Sequence, residues 1–237
     1  MKTKSSVNIV DQTLVQECSS CMYKSLLFDT LDPDSLNTIS GLKKQTQYQK
    51  GERICVEGER IEHLIYIHKG LVKLSRRNDD GQIQILSIAR PLDYVGLISV
   101  FSSQKYKYSI TAIEPTSVCF IDLECIRETI KTKGDFAMEI VEKMSQASDE
   151  VLEARYTLSK KSLKEKLAYI LLYFAETIYK SYSFELPISR TEIAELVDMR
   201  SENVIRIMSS FKKENIIKTK GQKVEILDVE QLRLIIG

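Results

Sequence analysis

Near the C-terminus, side chains able to hydrogen-bond gather on one side of a short segment. Glu202, Asn203, Arg206, Ser209 and Ser210 recur there at helical spacing, and Val204, Ile207, Met208 and Phe211 recur on the opposite side. A helix divided in this way clamps its apolar face to a neighbour and turns its donors and acceptors outward. Polar side chains near the N-terminus of such a helix match the docking geometry of a helix-turn-helix, in which the second helix enters the major groove of DNA.

Two further elements must hold that face. Upstream, Pro187 and Ser189 precede Ile193, Ala194 and Val197, and Glu192 stands three residues after Ser189, so a capping box is expected to start a first helix. A break at Asp198-Met199-Arg200 follows, and Ser201 is the expected cap of the second helix. The same residues would suit an ordinary helical hairpin in a globular core. The following segment favours the DNA reading. Lys218-Thr219-Lys220-Gly221-Gln222-Lys223 leads into Val224-Glu225-Ile226-Leu227, a basic hairpin turning at Lys220-Gly221 that has the pattern of a wing. Lys218 and Lys220 would reach backbone phosphates, which position a protein on DNA without reading sequence.

A chain of 237 residues has room for two domains, each with its own core. No apolar run is long enough to span a membrane, and the N-terminus MKTKSSVNIVDQ lacks the apolar core of a signal peptide, so a cytoplasmic protein without membrane attachment is predicted. Five scattered cysteines suit a reducing compartment. The net charge of +1 favours no partner, but thirteen Lys and Arg stand against nine Asp and Glu between Lys160 and Glu225. The remainder is mildly acidic, a weak asymmetry of the kind expected if only the C-terminal end meets phosphate.

Residues 1–24 have the look of an irregular arm whose one feature is the Cys18-x-x-Cys21 pair. A short helix is expected after Asp32-Pro33-Asp34. Short apolar runs then succeed one another, at 54–56, 64–67, 71–74, 83–88, 95–100, 108–113 and 118–121, punctuated by Gly51, Gly58, Gly70, Gly81 and Gly96. Many short strands at this spacing, with a hairpin turn at Asn78-Asp79-Asp80-Gly81, predict a β-roll or jelly roll over 25–134. Over 135–159, Ala137, Ile140, Met144, Ala147, Val151, Ala154 and Leu158 alternate spacings of three and four, the seam of a two-helix coiled coil. A single narrow stripe implies a partner helix, and a two-fold homodimer is expected, with packing on the chain's own roll as the alternative. A helix over 162–180 opens a C-terminal domain over 160–237. The fold class predicted is α+β: a cupin-like roll, a long dimerisation helix and a winged helix-turn-helix.

This architecture resembles the CRP/FNR family of bacterial transcription regulators along nearly the whole chain. The matching residues are Lys50-Gly51-Glu52-x-Ile54-x-x-x-Gly58 and Leu64-x-x-Ile67-x-x-Gly70 in the roll, Gly96, Ile188-Ser189-Arg190-Thr191-Glu192-Ile193-Ala194, and Ser201-Glu202-Asn203-Val204-Ile205-Arg206. The resemblance implies that Glu202 and Arg206 read base edges of a palindromic half-site, with Ser201 a lesser candidate. The chemistry agrees, since the two lie at i and i+4 on one face, arginine can donate to guanine O6 and N7, and glutamate can accept from cytosine N4. A mere surface ion pair between them is the alternative. Arg190, Arg200 and Asn203 are placed for phosphates, and Asp198 departs from the glycine common at this turn. Contact with RNA polymerase is implied by the resemblance alone.

The same resemblance raises the question of an effector. Residues 96–109 occupy the place of the family's phosphate-binding cassette, but Leu97 cannot accept a ribose hydroxyl, and Lys105 and Lys107 lack the planar fork of arginine. Cyclic AMP is therefore not expected. The oxygen-sensing branch carries N-terminal cysteines plus one in the roll, and Cys18, Cys21 and Cys119 sit at comparable places. An iron-sulfur cluster ordinarily needs four thiolates; Cys55 and Cys125, in a strand and a helix, are poor substitutes. A Cys18-Cys21 dithiol switch, or an arm without any redox role, stays open. His63 and His68, the two histidines, are expected at the surface, so haem and a histidine-based metal site have no support. No Ser/His/Asp set, HExxH motif or phosphate-cradling loop points to an enzyme. A protein-interaction module that has lost DNA binding is the remaining alternative.

Overall fold

A computed structural model describes residues 28–237. Cys18, Cys21 and the whole N-terminal arm, 1–24, lie outside the described residues. Eight strands build the N-terminal part of the described residues: β1 (Lys43–Tyr48), β2 (Arg53–Cys55), β3 (His63–Lys69), β4 (Val72–Arg77), β5 (Ile83–Ala89), β6 (Tyr94–Val95), β7 (Ser109–Ala112) and β8 (Thr116–Asp122). They pair antiparallel into two four-stranded sheets ordered β1-β8-β3-β6 and β2-β7-β4-β5. Leu64, Ile65, Ile67, Val72, Ile110 and Val118 are completely buried, and this shared apolar interior forms the roll. The β4–β5 hairpin closes as its sequence predicts, with Asn78 donating to the Gln82 carbonyl at 2.8 Å and Gly81 at φ 83°. At Gly70, also at positive φ, a Cβ would lie 2.4 Å from the Pro115 carbonyl oxygen, so only glycine lets the two turns touch.

Two roll elements differ from expectation. The run 95–100 is no strand beyond Val95: Gly96 turns left-handed at φ 86°, and α2 (Leu97–Val100) buries Leu97 and Val100, one helical turn apart. Strand β1, Lys-Lys-Gln-Thr-Gln-Tyr, has no apolar run to announce it and is held by its ladder to β8 along its whole length. Helix α1 (Pro33–Gly41) starts where expected, with Asp32 accepting from the Ser35 N–H at 3.0 Å. Helix α3 (Leu123–Thr132) follows β8 directly, capped by Asp122.

The long helix α4 (Gly134–Lys160) spans 27 residues and divides the expected seam. Phe136 and Ile140 are buried in the roll's core, where Phe136 stacks on Phe28 with ring centroids 6.2 Å apart, and Met144 packs partly against the same core. Leu158 packs against the C-terminal core. Ile140 is thus corrected from dimer seam to roll core, with Met144 and Leu158 partly buried within the chain. Coiled-coil periodicity identifies an apolar stripe but not which surface covers it. The apolar side chains left exposed are Met138, Val141, Val151, Leu152 and Tyr156, at 52–65%. Ala154 is exposed beside them and Ala147 half-buried.

The C-terminal part contains α5 (Leu163–Leu172), a π-turn at Tyr173–Ile178, β9 (Ser183–Glu185), α6 (Arg190–Val197), α7 (Ser201–Lys213), β10 (Ile217–Lys220), β11 (Lys223–Ile226) and α8 (Val229–Ile236). The π-turn shortens the helix expected to reach Lys180: Tyr179 donates to the Phe174 carbonyl five residues back. The hairpin β10–β11 gains a third strand, β9, on the β11 side. Leu71, Ile88 and Ile113 of the roll belong to the same buried cluster as Phe174, Ile193 and Phe211, so roll and head share an apolar junction.

Candidate nucleic-acid interface

The face singled out in the sequence is built by α6 and α7 together. Ser189 Oγ accepts from the Glu192 N–H at 3.2 Å, and Glu192 Oε2 accepts from the Ser189 N–H at 2.8 Å, which completes the capping box. The other Glu192 oxygen accepts from Lys73 Nζ on β4. Partial burial raises the Glu192 pKa, but the hydrogen bonds from Lys73 and Ser189 outweigh it and hold the carboxyl below its ordinary value. The cap that starts the first helix is therefore also a point where the head is tied to the roll.

The turn between the helices places Asp198 in the left-handed region at φ 53°, with its N–H donating to the Ala194 carbonyl. Aspartate tolerates that conformation better than most residues, which is how the turn proceeds without glycine. Lys166 of α5 donates to the Val197 carbonyl at 3.2 Å, a cation at the C-terminus of α6. Arg200, not Ser201, occupies the N-cap position of α7, and no side chain caps it, which corrects the expectation for Ser201. The first backbone N–H groups of α7 are left without a side-chain cap, and phosphate binding at helix N-termini uses such groups.

Helix α7 buries Val204, Ile207, Met208 and Phe211 at 4% exposure or less. Its outer face exposes Glu202, Ile205, Arg206 and Ser209, while Ser201, Asn203 and Ser210 are intermediate. Arg206 donates to Asn203 Oδ1 at 3.4 Å. Among the described residues no ion pair joins Glu202 to Arg206. Arg190 and Arg200 are both exposed, at the starts of α6 and α7. In the wing, Gly221 turns at φ 63°, and Lys220 lies directly across the ladder from Lys223. Like charges in that register repel, so the tip carries a concentrated positive charge that an anion would relieve. Lys218 is 3.8 Å from Glu225 and so partly neutralised. Lys223 is therefore the better wing cation. The cross-strand register identifies it, and sequence spacing alone singled out Lys218 and Lys220.

Cys55 lies in strand β2 and Cys125 in helix α3, as expected. Cys119 is 6% exposed in β8, between Tyr66 of β3 and Gln45 of β1. Burial pushes the Cys55 thiol up to about 11 and raises Cys125 as well. His68 is half-buried, with both ring nitrogens shut off from solvent, and burial lowers its pKa. His63 packs edge-on against Phe120 at 5.8 Å. No cluster of three or more metal-ligating side chains occurs among the described residues. In the cassette segment, Leu97 and Tyr106 are buried and Tyr108 lies 3.3 Å from Ser99 Oγ, so bulky side chains line it.

A double-sheet roll joined by a long helix to a winged helix-turn-helix is the architecture of a DNA-binding transcription regulator. Residues 45–133 match the cyclic nucleotide-binding domain family, and residues 165–235 match the Crp-like helix-turn-helix domain. The chain belongs to the CRP/FNR family of transcription regulators. It is 28% identical to the transcriptional activator protein Anr of Pseudomonas aeruginosa, over 98% of this chain and 96% of the relative. It is 27% identical to the transcriptional activator protein FnrA of Stutzerimonas stutzeri, over 92% and 90%. The structure of FixK2 from Bradyrhizobium japonicum has the same fold, with a TM-score of 0.73 at 22% identity, over 81% of this chain and 96% of that one. No helix among the described residues is long and apolar enough to cross a membrane.

Proposed function

We propose that this regulator binds a palindromic operator as a homodimer, with α7 of each protomer in the major groove of one half-site. Glu202 and Arg206 read base edges, with Ser201 behind them. Arg190, Arg200, Asn203, Lys220 and Lys223 hold phosphates, and Lys218 assists once Glu225 releases it. Residues 25–134 act as the control domain, 135–159 as the coupling and dimerisation helix, and 160–237 as the DNA-binding head, with 1–24 as an arm. The observation that carries this reading is the division of α7: one face is spent on the core, and the other presents a carboxylate and a guanidinium not paired with each other. Dimerisation is supported by the large apolar side chains that α4 leaves exposed, Met138, Val141, Val151, Leu152 and Tyr156, of which Met138, Val141, Leu152 and Tyr156 share one face.

The roll is proposed to respond to something other than cyclic AMP, since Leu97 offers no acceptor and the cassette holds no arginine. Kinship with Anr and FnrA keeps a redox input through Cys18 and Cys21 in play, and the burial of Cys119 argues against that thiol exchanging freely. Contact with RNA polymerase is proposed from the family.

Selection of operators from random duplexes by the full-length protein tests the reading. A two-fold motif is expected, with binding that falls steeply with salt, and Arg206→Ala should lose about 1–3 kcal/mol of discrimination at one G·C pair per half-site. Binding that ignores salt, or full sequence preference in Arg206→Ala, would refute it.

A further inference from the structure

One apolar side chain stands on the polar face of α7. Ile205 is 51% exposed, although the buried face of the helix is complete without it. Ser201 and Glu202 lie one turn before it, Arg206 follows it directly, and Ser209 lies one turn after. Isolated exposed apolar residues are common and ordinarily need no explanation. This one differs in its setting: a β-branched residue lowers helix propensity, adds nothing to the core here, and sits among the side chains that face the groove. Ser209, the polar neighbour beyond it, donates its hydroxyl back to the Ile205 carbonyl at 2.9 Å. That hydroxyl proton is spent on the helix, so Ile205 is the outward contact at this level.

The major-groove feature that an aliphatic side chain recognises is the thymine 5-methyl group. We propose that Ile205 is a specificity-determining residue that selects thymine by contact with that methyl group, beside the base pairs read by Glu202 and Arg206. The inference rests on the base-reading face proposed above. A rise of ~1.5 Å per residue places Ile205 about 4.5 Å along the axis from Glu202, on the order of the ~3.4 Å step between bases of one strand. Discrimination has a repulsive side too. Over the amino group of cytosine or adenine, Ile205 would cover a donor and offer it no acceptor, a cost that thymine avoids.

The test uses operators selected by the wild-type, full-length protein and resynthesised with uracil replacing each thymine in turn. Uracil removes the methyl group and keeps the hydrogen-bonding edge. One thymine per half-site should prove sensitive, with binding weakened roughly fourfold, the weight of one buried methyl-sized group. Ile205→Ala should bind thymine and uracil duplexes equally at that position, and Ile205→Val should keep most of the preference. The site is exposed and alanine is the better helix former, so both variants should fold. An operator with no uracil-sensitive thymine, or a uracil penalty unchanged in Ile205→Ala, overturns the proposal. Arg206→Ala separates the two levels. A motif that depends on Arg206 but ignores uracil removes the methyl contact alone, and selection of no motif at all removes the base-reading face with it.

Discussion

Replacing Lys73 with methionine should weaken the junction between roll and head, because the lysine serves a carboxylate that cannot fully turn to water. Lys73 and Glu192 are 17% and 26% exposed in their side chains, and Glu192 also carries the Ser189 N–H at 2.8 Å. A fully exposed pair would contribute about 0–1 kcal/mol, and removing one partner of a fully buried pair costs about 3–5 kcal/mol. Partial exposure places Lys73→Met between these, at about 1–2 kcal/mol, with the methionine keeping the packing of the lysine stem. For a chain of this size that corresponds to roughly 2–8 °C in Tm, measurable by circular dichroism at neutral pH. The pH dependence has a definite sign. Glu192 is held below its ordinary 4.5, so its contribution is present above that value and is lost as pH falls through the lower folded pKa. The difference between wild type and Lys73→Met should therefore be full at neutral pH and shrink in acid. An unchanged Tm at neutral pH would refute the reasoning, and so would a difference that persists in acid.

Ser189→Ala removes the capping box of α6 and should cost about 1 kcal/mol, with Ser189→Thr restoring most of it in the same thermal assay. Gly70→Ala forces a Cβ to within 2.4 Å of the Pro115 carbonyl oxygen at φ 83°; strain from the backbone angle alone is about 1–3 kcal/mol, so denaturant titration should show a clear loss of stability. Leu152→Asp, at a position 65% exposed on α4, should leave the fold intact, shift sedimentation from dimer to monomer and weaken operator binding at least tenfold. A dimer that survives this change would move the interface elsewhere.

Much of the DNA-binding head was legible in the sequence, because its signals are local. The Ser189–Glu192 capping box, the division of α7 into two faces and the Lys220-Gly221 turn each depend on residues within a few positions of one another. The hairpin at Asn78–Gln82 is of the same kind. Such features are set by backbone propensity and side-chain periodicity, which a one-dimensional string carries. Where a local signal was ambiguous the expectation failed: Ser201 looked like a cap but Arg200 holds that position, and Gly96 turned an apolar run from strand into helix.

What the sequence by itself determined is the kind of molecule: a roll of short strands, a long amphipathic helix and a helix pair with a polar outer face. Only the tertiary structure decided which surfaces meet. It assigned Ile140 to the roll's core and left Leu152 and Tyr156 uncovered, paired Lys73 with Glu192 across 119 residues of chain, and set Lys223 opposite Lys220. Periodicity states that a helix has an apolar side but is silent about the neighbour that covers it. Burial and ion pairing between distant residues are properties of the packed chain, so they arise only when the roll and the head fold against each other.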